Sequence, residues 1–377
     1  MKGSTTIGYV KGIKIQIHWS FWIIVLWIIM SYYFKSGSLT NAFYGGFFVL
    51  SVFGCVVLHE LAHALTAAKY GIKTKNIVLL PIGGIANLEK IPENPKQELV
   101  IAIAGPVSNI IIAFVLFLVT YIFNLFPEYN EIKQFAQTNQ EFFSSKLILL
   151  NLIIANLFLA FFNFIPAFPM DGGRILRALL SMKFSRVSAT QMAASIGKTL
   201  AIVFIFLGFF YNFWLVFTGL FIYLGANSEA LQEENKVTLF GVKVKNAMMI
   251  KIPSFAESEP IVNVVNHIIQ TQEKAFIIYD INYSTIKGTL TQTELIEGIK
   301  TFGEDAPIAS IKNKNFITVH ENEDLNEVYI KLLSNKQEIA PVVDKNNKVV
   351  GAIDIDNINE FLYIKLAKQS YQNKNRI

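Results

Sequence analysis

The sequence predicts an α-helical polytopic membrane protein followed by a soluble α+β domain built as a tandem repeat. Three observations predict it. Of 377 residues, 53% are hydrophobic and only 16% are charged, whereas about a quarter of a soluble chain is charged. Mean hydropathy is correspondingly high at +0.42. The charge is also uneven: residues 15–230 hold long uncharged runs, while 231–377 is rich in Lys, Glu, Asp and Asn. Finally, the second region repeats itself, with Glu259–Asp280 aligning on Glu323–Asp344. The formal charge of +5 comes with no long basic cluster. It reads as cytosolic loops facing anionic lipid, and nucleic acid is excluded as a partner. The single cysteine, Cys55, rules out an internal disulfide and reads as a small apolar core residue.

The elements follow in order. Residues 1–16 carry Lys2, Lys11 and Lys14, and the apolar segment Ile17–Phe34 follows with Trp19, Trp22 and Trp27. No small-residue cleavage site follows and the run is longer than a signal core, so it reads as a first span with its N-terminus in the cytosol. His18 at its start reads as an interfacial side chain. A second span, about Ala42–Lys69, crosses back. Lys75–Leu88 then reads as strand, turn, strand around Pro81, Gly83 and Gly84. A third span covers about Glu98–Phe126, where Gly105-Pro106 should kink it. Residues 127–146 form a polar outer loop, and the fourth span is about Leu147–Phe164.

Two prolines and two glycines then break the helix across Pro166–Gly173. Irregular backbone at that depth is tolerated only where it is buried in protein or lines a cavity. A short surface helix is expected at Arg174–Met182. Val187–Asn227 contains one charge, Lys198, and is too long for one span but long enough for two. Lys198 reads as snorkelling to the cytosolic interface, with the bundle interior as the alternative. About six spans put both termini and the soluble region in the cytosol of a prokaryotic cell with the chain in its inner membrane. The domain boundaries are expected at 1–227, a linker at 228–240, and 241–377, the last divided at about 241–302 and 303–366 with a short tail. Each half reads helix, strand, strand, helix. Such units bury little alone and should pack as a pair.

The chemistry centres on His59-Glu60-Leu61-Ala62-His63. Four residues apart on a helix, His59 and His63 project from one face, a spacing that lets two imidazoles grip one zinc ion. Glu60 is placed to handle the proton of activated water. Catalytic zinc needs a third protein ligand and an open position. The extended pattern with a glycine and a third histidine on the same helix fails, because Thr66 and Lys69 stand there. Asp171, beside broken helix and two glycines, is the leading membrane-embedded candidate. Its alternative role is capping the helix that follows.

These residues resemble the site-2 protease family of intramembrane metallopeptidases. The resemblance is carried by His59, Glu60 and His63, by Gly105-Pro106-Val107-Ser108-Asn109, and by Asn163, Pro166 and Asp171-Gly172, all in membrane segments. It covers roughly residues 1–227. It implies one zinc ion held by His59, His63 and Asp171, with Glu60 as general base and acid. It also implies substrate or oxyanion positioning by Asn163, with Asn109 in a further family motif. The reaction implied is hydrolysis of a peptide bond in or near a transmembrane segment of a membrane-protein substrate, known as regulated intramembrane proteolysis.

A helical substrate hides its carbonyls and must be unwound first. The hairpin with Gly83 and Gly84 offers an edge on which an extended chain could pair, or it is a structural loop. The repeat resembles a tandem of cystathionine-β-synthase (CBS) domains. This implies a regulator, a homodimerisation module, or both. Adenine nucleotide would fall at Thr291, Glu294, Asp354 and Asn357, but acidic side chains there oppose phosphate. His267 and His320 read as exposed, without a metal role. The competing functions are a channel or transporter with a paired regulatory tail, and an inactive membrane scaffold. A transporter has no need of Glu60 beside a histidine pair.

Overall fold

The computed structural model describes residues 3–81, 83–88, 92, 94–128, 145–250, 253–271 and 273–374. The expected outer loop falls mostly outside the described residues. The chain separates into two compact units, Met1–Glu233 and Glu234–Ile377.

The first unit opens with a hairpin that the hydropathy pattern does not announce, β1 (Ser4–Val10) and β2 (Ile13–His18). Lys11 and Gly12 turn it with φ of 47° and 83°, as two-residue hairpin loops require. The signal that could have found it is alternation: Ile13, Ile15 and Ile17 are buried, and the residues between them are not. The expected second hairpin is present as β3 (Thr74–Leu80) and β4 (Gly83–Leu88). Together the four strands form one sheet in the order β1-β2-β3-β4, with β2 and β3 parallel. Among the described residues, β4 is an edge strand.

Among the described residues the unit has seven helices. α1 (Trp19–Ser36) is capped by His18, whose ring accepts from the Ser20 N–H, so His18 serves the helix start. α2 (Leu39–Lys69) is capped by Ser38, and α3 (Pro95–Ile122) is capped by Asn94 and runs on through Pro106. α4 (Ser145–Phe164), α5 (Asp171–Leu180), α6 (Arg186–Phe210) and α7 (Trp214–Leu239) complete the unit. Apart from α5, these are long and apolar enough to cross a bilayer, six among the described residues. Large apolar side chains stay on the outside, as with Phe161 at 71% and Ile122 at 70% exposure. Such a surface is a liability in water and the expected face toward lipid. Lys198 departs from the snorkelling expectation. Its Nζ donates to Asn227 Oδ1 at 2.8 Å and lies 5.8 Å from the Tyr223 ring centre, so it is turned to α7. A partner inside the bundle removes the reason to reach for the interface. The charged stretch after Asn227 is helical, within α7.

The second unit repeats one pattern twice. β5 (Ser254–Ala256), α8 (Ile261–Thr271), β6 (Ala275–Tyr279), β7 (Ile286–Thr291) and α9 (Gln292–Phe302) form the first half. β8 (Val319–His320), α10 (Leu325–Asn335), β9 (Ile339–Val343), β10 (Val349–Asp354) and α11 (Ile355–Lys374) form the second. Each half has a three-stranded sheet with a short parallel strand beside an antiparallel hairpin. Period two divides the labour of the strands. Phe276 and Ile278 of β6 pack on the helices of their own half, while Ala275 and Ile277 meet Ile339 and Ala352 of the other. The halves therefore share a core. His267 is only half exposed: it packs on Phe255 and Phe276 and bonds Glu273 at 2.7 Å.

Candidate metal centre

α2 presents His59 and His63 one turn apart, each 5% exposed, with ring centres 4.7 Å apart. Their Nε2 atoms lie 3.1 Å from each other. Asp171 Oδ2 lies 3.1 Å from His59 Nε2 and 3.0 Å from His63 Nε2. His63 Nδ1 donates to the Ile101 carbonyl at 2.7 Å, which leaves its Nε2 lone pair facing the other two groups. Two imidazole nitrogens and a carboxylate oxygen thus converge on one point from three buried side chains. This donor set suits zinc, and three protein ligands leave a position open, the pattern of catalytic rather than structural sites.

Local sequence explains the convergence. The cap of α5 is Met170, which makes no side-chain bond, so Asp171 is the first helical residue and its carboxylate is not used for capping. The capping role considered for Asp171 is therefore not the one it plays. Gly172 and Gly173 let this turn fold back on the loop before it. A Cβ at 172 would lie 2.1 Å from the Ile165 carbonyl oxygen, and one at 173 would lie 2.5 Å from the Phe168 nitrogen. Gly105 of α3 faces the imidazoles directly. A Cβ there would fall 2.1 Å from His63 Nε2 and 2.6 Å from His59 Nε2. The absent side chain leaves a cradle at the donor atoms. Gly84 does the same for Glu60, since its Cβ would lie 2.7 Å from Glu60 Cγ. The edge strand β4 thus runs against the side chain expected to move protons.

A buried ionic cluster holds α5, and nothing in the local sequence foretells it. Arg177, 1% exposed, donates to Glu98 Oε1 through Nε at 2.8 Å and Nη2 at 2.5 Å. Its Nη1 donates to Glu229 at 2.5 Å, and its guanidinium stacks 5.1 Å over Phe168. Arg186 donates to Glu98 Oε2 at 2.8 Å and to Glu233 at 2.9 Å. α3, α5, α6 and α7 are tied together at one end of the bundle. Arg174, one turn from Asp171, adds a positive charge that acts on both Asp171 and Glu60.

The remaining expected residues are placed as follows. Asn163 is half-buried in the last turn of α4. Asn109, one turn beyond Gly105, is 1% exposed. Gly83 turns into β4 with φ of 137°, a left-handed conformation that favours glycine. In the second unit Thr291 and Glu294 form a capping box at α9, and Asp354 accepts from the Asn357 N–H at 2.6 Å. A cavity of 790 Å³ in that unit is lined by other residues, among them Tyr279, Tyr283, Thr285, Phe316 and Lys348.

Peptidase family M50 matches residues 47–207, and the CBS domain family matches 308–363. A zinc metalloprotease of Methanocaldococcus jannaschii is 39% identical over 249 residues, 66% of this chain and 67% of that protein. A Synechocystis protein whose name assigns it provisionally to the zinc metalloproteases is 27% identical over 390 residues, 97% of both chains. The solved site-2 protease of Methanocaldococcus jannaschii is 39% identical, with a TM-score of 0.44, covering 60% of this chain and 95% of that one.

Proposed function

The chain belongs to peptidase family M50, the site-2 protease family of integral multi-pass membrane zinc metalloproteases, and we propose that His59, His63 and Asp171 are its zinc ligands and Glu60 its proton carrier. The observation that supports this most is the meeting of Asp171 Oδ2 with both Nε2 atoms at 3.0–3.1 Å. When bound there, zinc supplies Lewis acidity toward water and the peptide carbonyl. Glu60 takes the proton from the attacking water and returns it to the leaving amine. Asn163 lies in the last turn before the break that leads to Asp171, where its amide suits a developing oxyanion.

The substrate is a membrane protein, and it is unwound before it is cut. β4 supports that reading, because it is an edge strand whose Gly84 lies against Glu60. A strand added to it would carry its carbonyls past the base. The membrane domain is assigned to 1–227, the linker to 228–240 and the CBS pair to 241–377, with that pair and both termini in the cytosol. The pair modulates the protease and offers a homodimer surface. Adenine nucleotide is the weaker reading, because Thr291, Glu294 and Asp354 already cap helices.

The deciding experiment measures zinc per purified chain and cleavage of a membrane-embedded reporter by wild type and Glu60→Gln. About one zinc per chain, and cleavage that disappears in the variant, is the expected result. Metal-free wild type, or cleavage that survives Glu60→Gln, would remove the assignment. Gly84→Ala should slow cleavage while zinc content stays the same, and an unchanged rate would count against the edge. Reporter cleavage unaffected by deleting 241–377 would count against modulation by the CBS pair.

A further inference from the structure

The two ligand histidines differ in what holds them. His63 Nδ1 donates to the Ile101 carbonyl at 2.7 Å, whereas His59 Nδ1 is buried with no hydrogen-bond partner among the described residues. A metal-binding imidazole normally gives its second N–H to an acceptor that fixes its tautomer and orientation. Two contacts set the register of α3 against α2: Ile101 meets His63, and Gly105 meets both His63 and His59. One further turn along α3 is Asn109, and one turn back along α2 is Cys55. On that register Asn109 lies level with the turn between Cys55 and His59. It is 1% exposed, and both its Oδ1 and Nδ2 lack a partner among the described residues.

A second buried amide reaches the same level from α4. Asn156, 0% exposed, donates through Nδ2 to Cys55 Sγ at 3.3 Å and to the Leu152 carbonyl at 2.8 Å. Its Oδ1 has no partner among the described residues. Orphaned polar atoms of two asparagines and an imidazole, all buried among apolar helices, are costly unless something joins them. Three of these atoms are complementary, one N–H from His59 and two amide oxygens, and Asn109 Nδ2 is a further donor.

We infer that Asn109 is the positioning residue of His59, holding its Nδ1–H through one water molecule shared with Asn156. That water accepts from His59 Nδ1–H and donates to Asn109 Oδ1 and Asn156 Oδ1. Three bonds is the usual complement of a buried water. His63 is thus set by backbone and His59 by a hydrated polar pocket behind the site, on the side away from Asp171. Asn109 then acts on the ligand and does not touch substrate. This inference rests on the zinc assignment above.

The test uses the full chain in detergent. It reads the zinc dissociation constant and the visible absorption bands of the cobalt-substituted protein, which respond to ligand orientation. Asn109→Leu should weaken zinc by about 10–100-fold and shift the cobalt bands. Asn109→Asp, which keeps an acceptor in the same place, should stay close to wild type. Asn156→Leu should weaken zinc less, and the double Leu variant should be no worse than Asn109→Leu alone, as expected for two residues that share one water. Wild-type affinity and an unchanged cobalt spectrum in Asn109→Leu would overturn the inference, as would additive losses. If Asn109→Leu does not fold, Asn109→Asp and Asn156→Leu decide it: loss in the first, or no loss in the second, overturns the inference. Asp171→Ala is the control for the zinc assignment. Wild type that binds no zinc, or Asp171→Ala that keeps it, fails that assignment instead.

Discussion

Acidic side chains at the starts of helices do opposite work in the two units. In the second unit they are used by the backbone. Glu294 closes a capping box with Thr291. Asp324 accepts from the N–H groups of Asn326 and Glu327 at 3.0 and 3.4 Å and from Gly241 at 2.7 Å. Asp354 accepts from Asn357. In the first unit Asp171 opens α5 and caps nothing, and the residue before it offers no side-chain bond either. Helix amides near Asp171 are left without their usual side-chain acceptor while a carboxylate stands beside them facing two imidazoles. A local rule broken in a buried place points to a function that outweighs it.

The largest expected effect follows from that contrast. Asp171→Ala should lose zinc and bring reporter cleavage down to the level of Glu60→Gln, with α5 itself little affected. Asp324→Ala should lower the stability of the second unit by about 1 kcal/mol and leave the cleavage rate as it was. Zinc content, cleavage and denaturant midpoints of both variants measure this. If Asp171→Ala cost only stability, the distinction between the two kinds of carboxylate would collapse.

Ion pairs carry the comparison further. Arg177 and Glu98 are 2% and 4% exposed at their side chains, while Lys274 and Asp356 of the second unit are 65% and 66% exposed. Arg177→Met leaves Glu98 buried with one cationic partner fewer, at a cost of about 3–5 kcal/mol. The lower end is expected, since Arg186 still holds Glu98 Oε2. Lys274→Ala should stay within about 0.5 kcal/mol, because water already solvates both partners. Unfolding midpoints in detergent, with the two variants side by side, would show equal shifts only if burial did not set the strength of these pairs.

Legibility in the sequence divides along similar lines. The spans are readable because an uncharged apolar run of membrane length has a burial problem that a bilayer solves, and the histidine pair because four residues are close to one helical turn. The repeat is readable from self-alignment, although β5 and β8, of three and two residues, are too short to show periodicity. What is not legible depends on contacts between distant segments. The parallel pairing of β2 with β3 joins Lys14 to Asn76 and Ile17 to Leu79. Arg177 looks like a residue of a surface helix, since nothing near it in sequence foretells Glu98 or Glu229. The two roles open to Asp171 are separated only by where its oxygen points. Lys198 shows the converse: a charge in a span reads as turned outward when Asn227, its partner, lies on another helix.

The smallest effect tests whether a capping carboxylate can also be out of place. Asp354 caps α11 with a 2.6 Å bond from Asn357, yet burial holds its carboxyl above the ordinary range, with the like charges of Asp356 and Glu360 adding to the shift. The sign follows from which state ionises first. At a pH well below about 3.9, the unfolded value, the group is protonated in both states and contributes nothing. As pH rises through that value the unfolded chain ionises while the folded one keeps its proton. Stability therefore falls until the raised folded value has been passed, and stays lower beyond it. Asparagine caps as well as aspartate and carries no charge to bury. Asp354→Asn should then raise the denaturant midpoint of the second unit at pH 7, and the gain should shrink to nothing on acidification below about pH 4. A gain that persisted in acid would mean that packing, not charge, separates the two side chains. A loss at pH 7 would mean that the ionised carboxylate is needed there, as proposed for Asp171 in the first unit, and would return Asp354 to the candidates for binding a ligand.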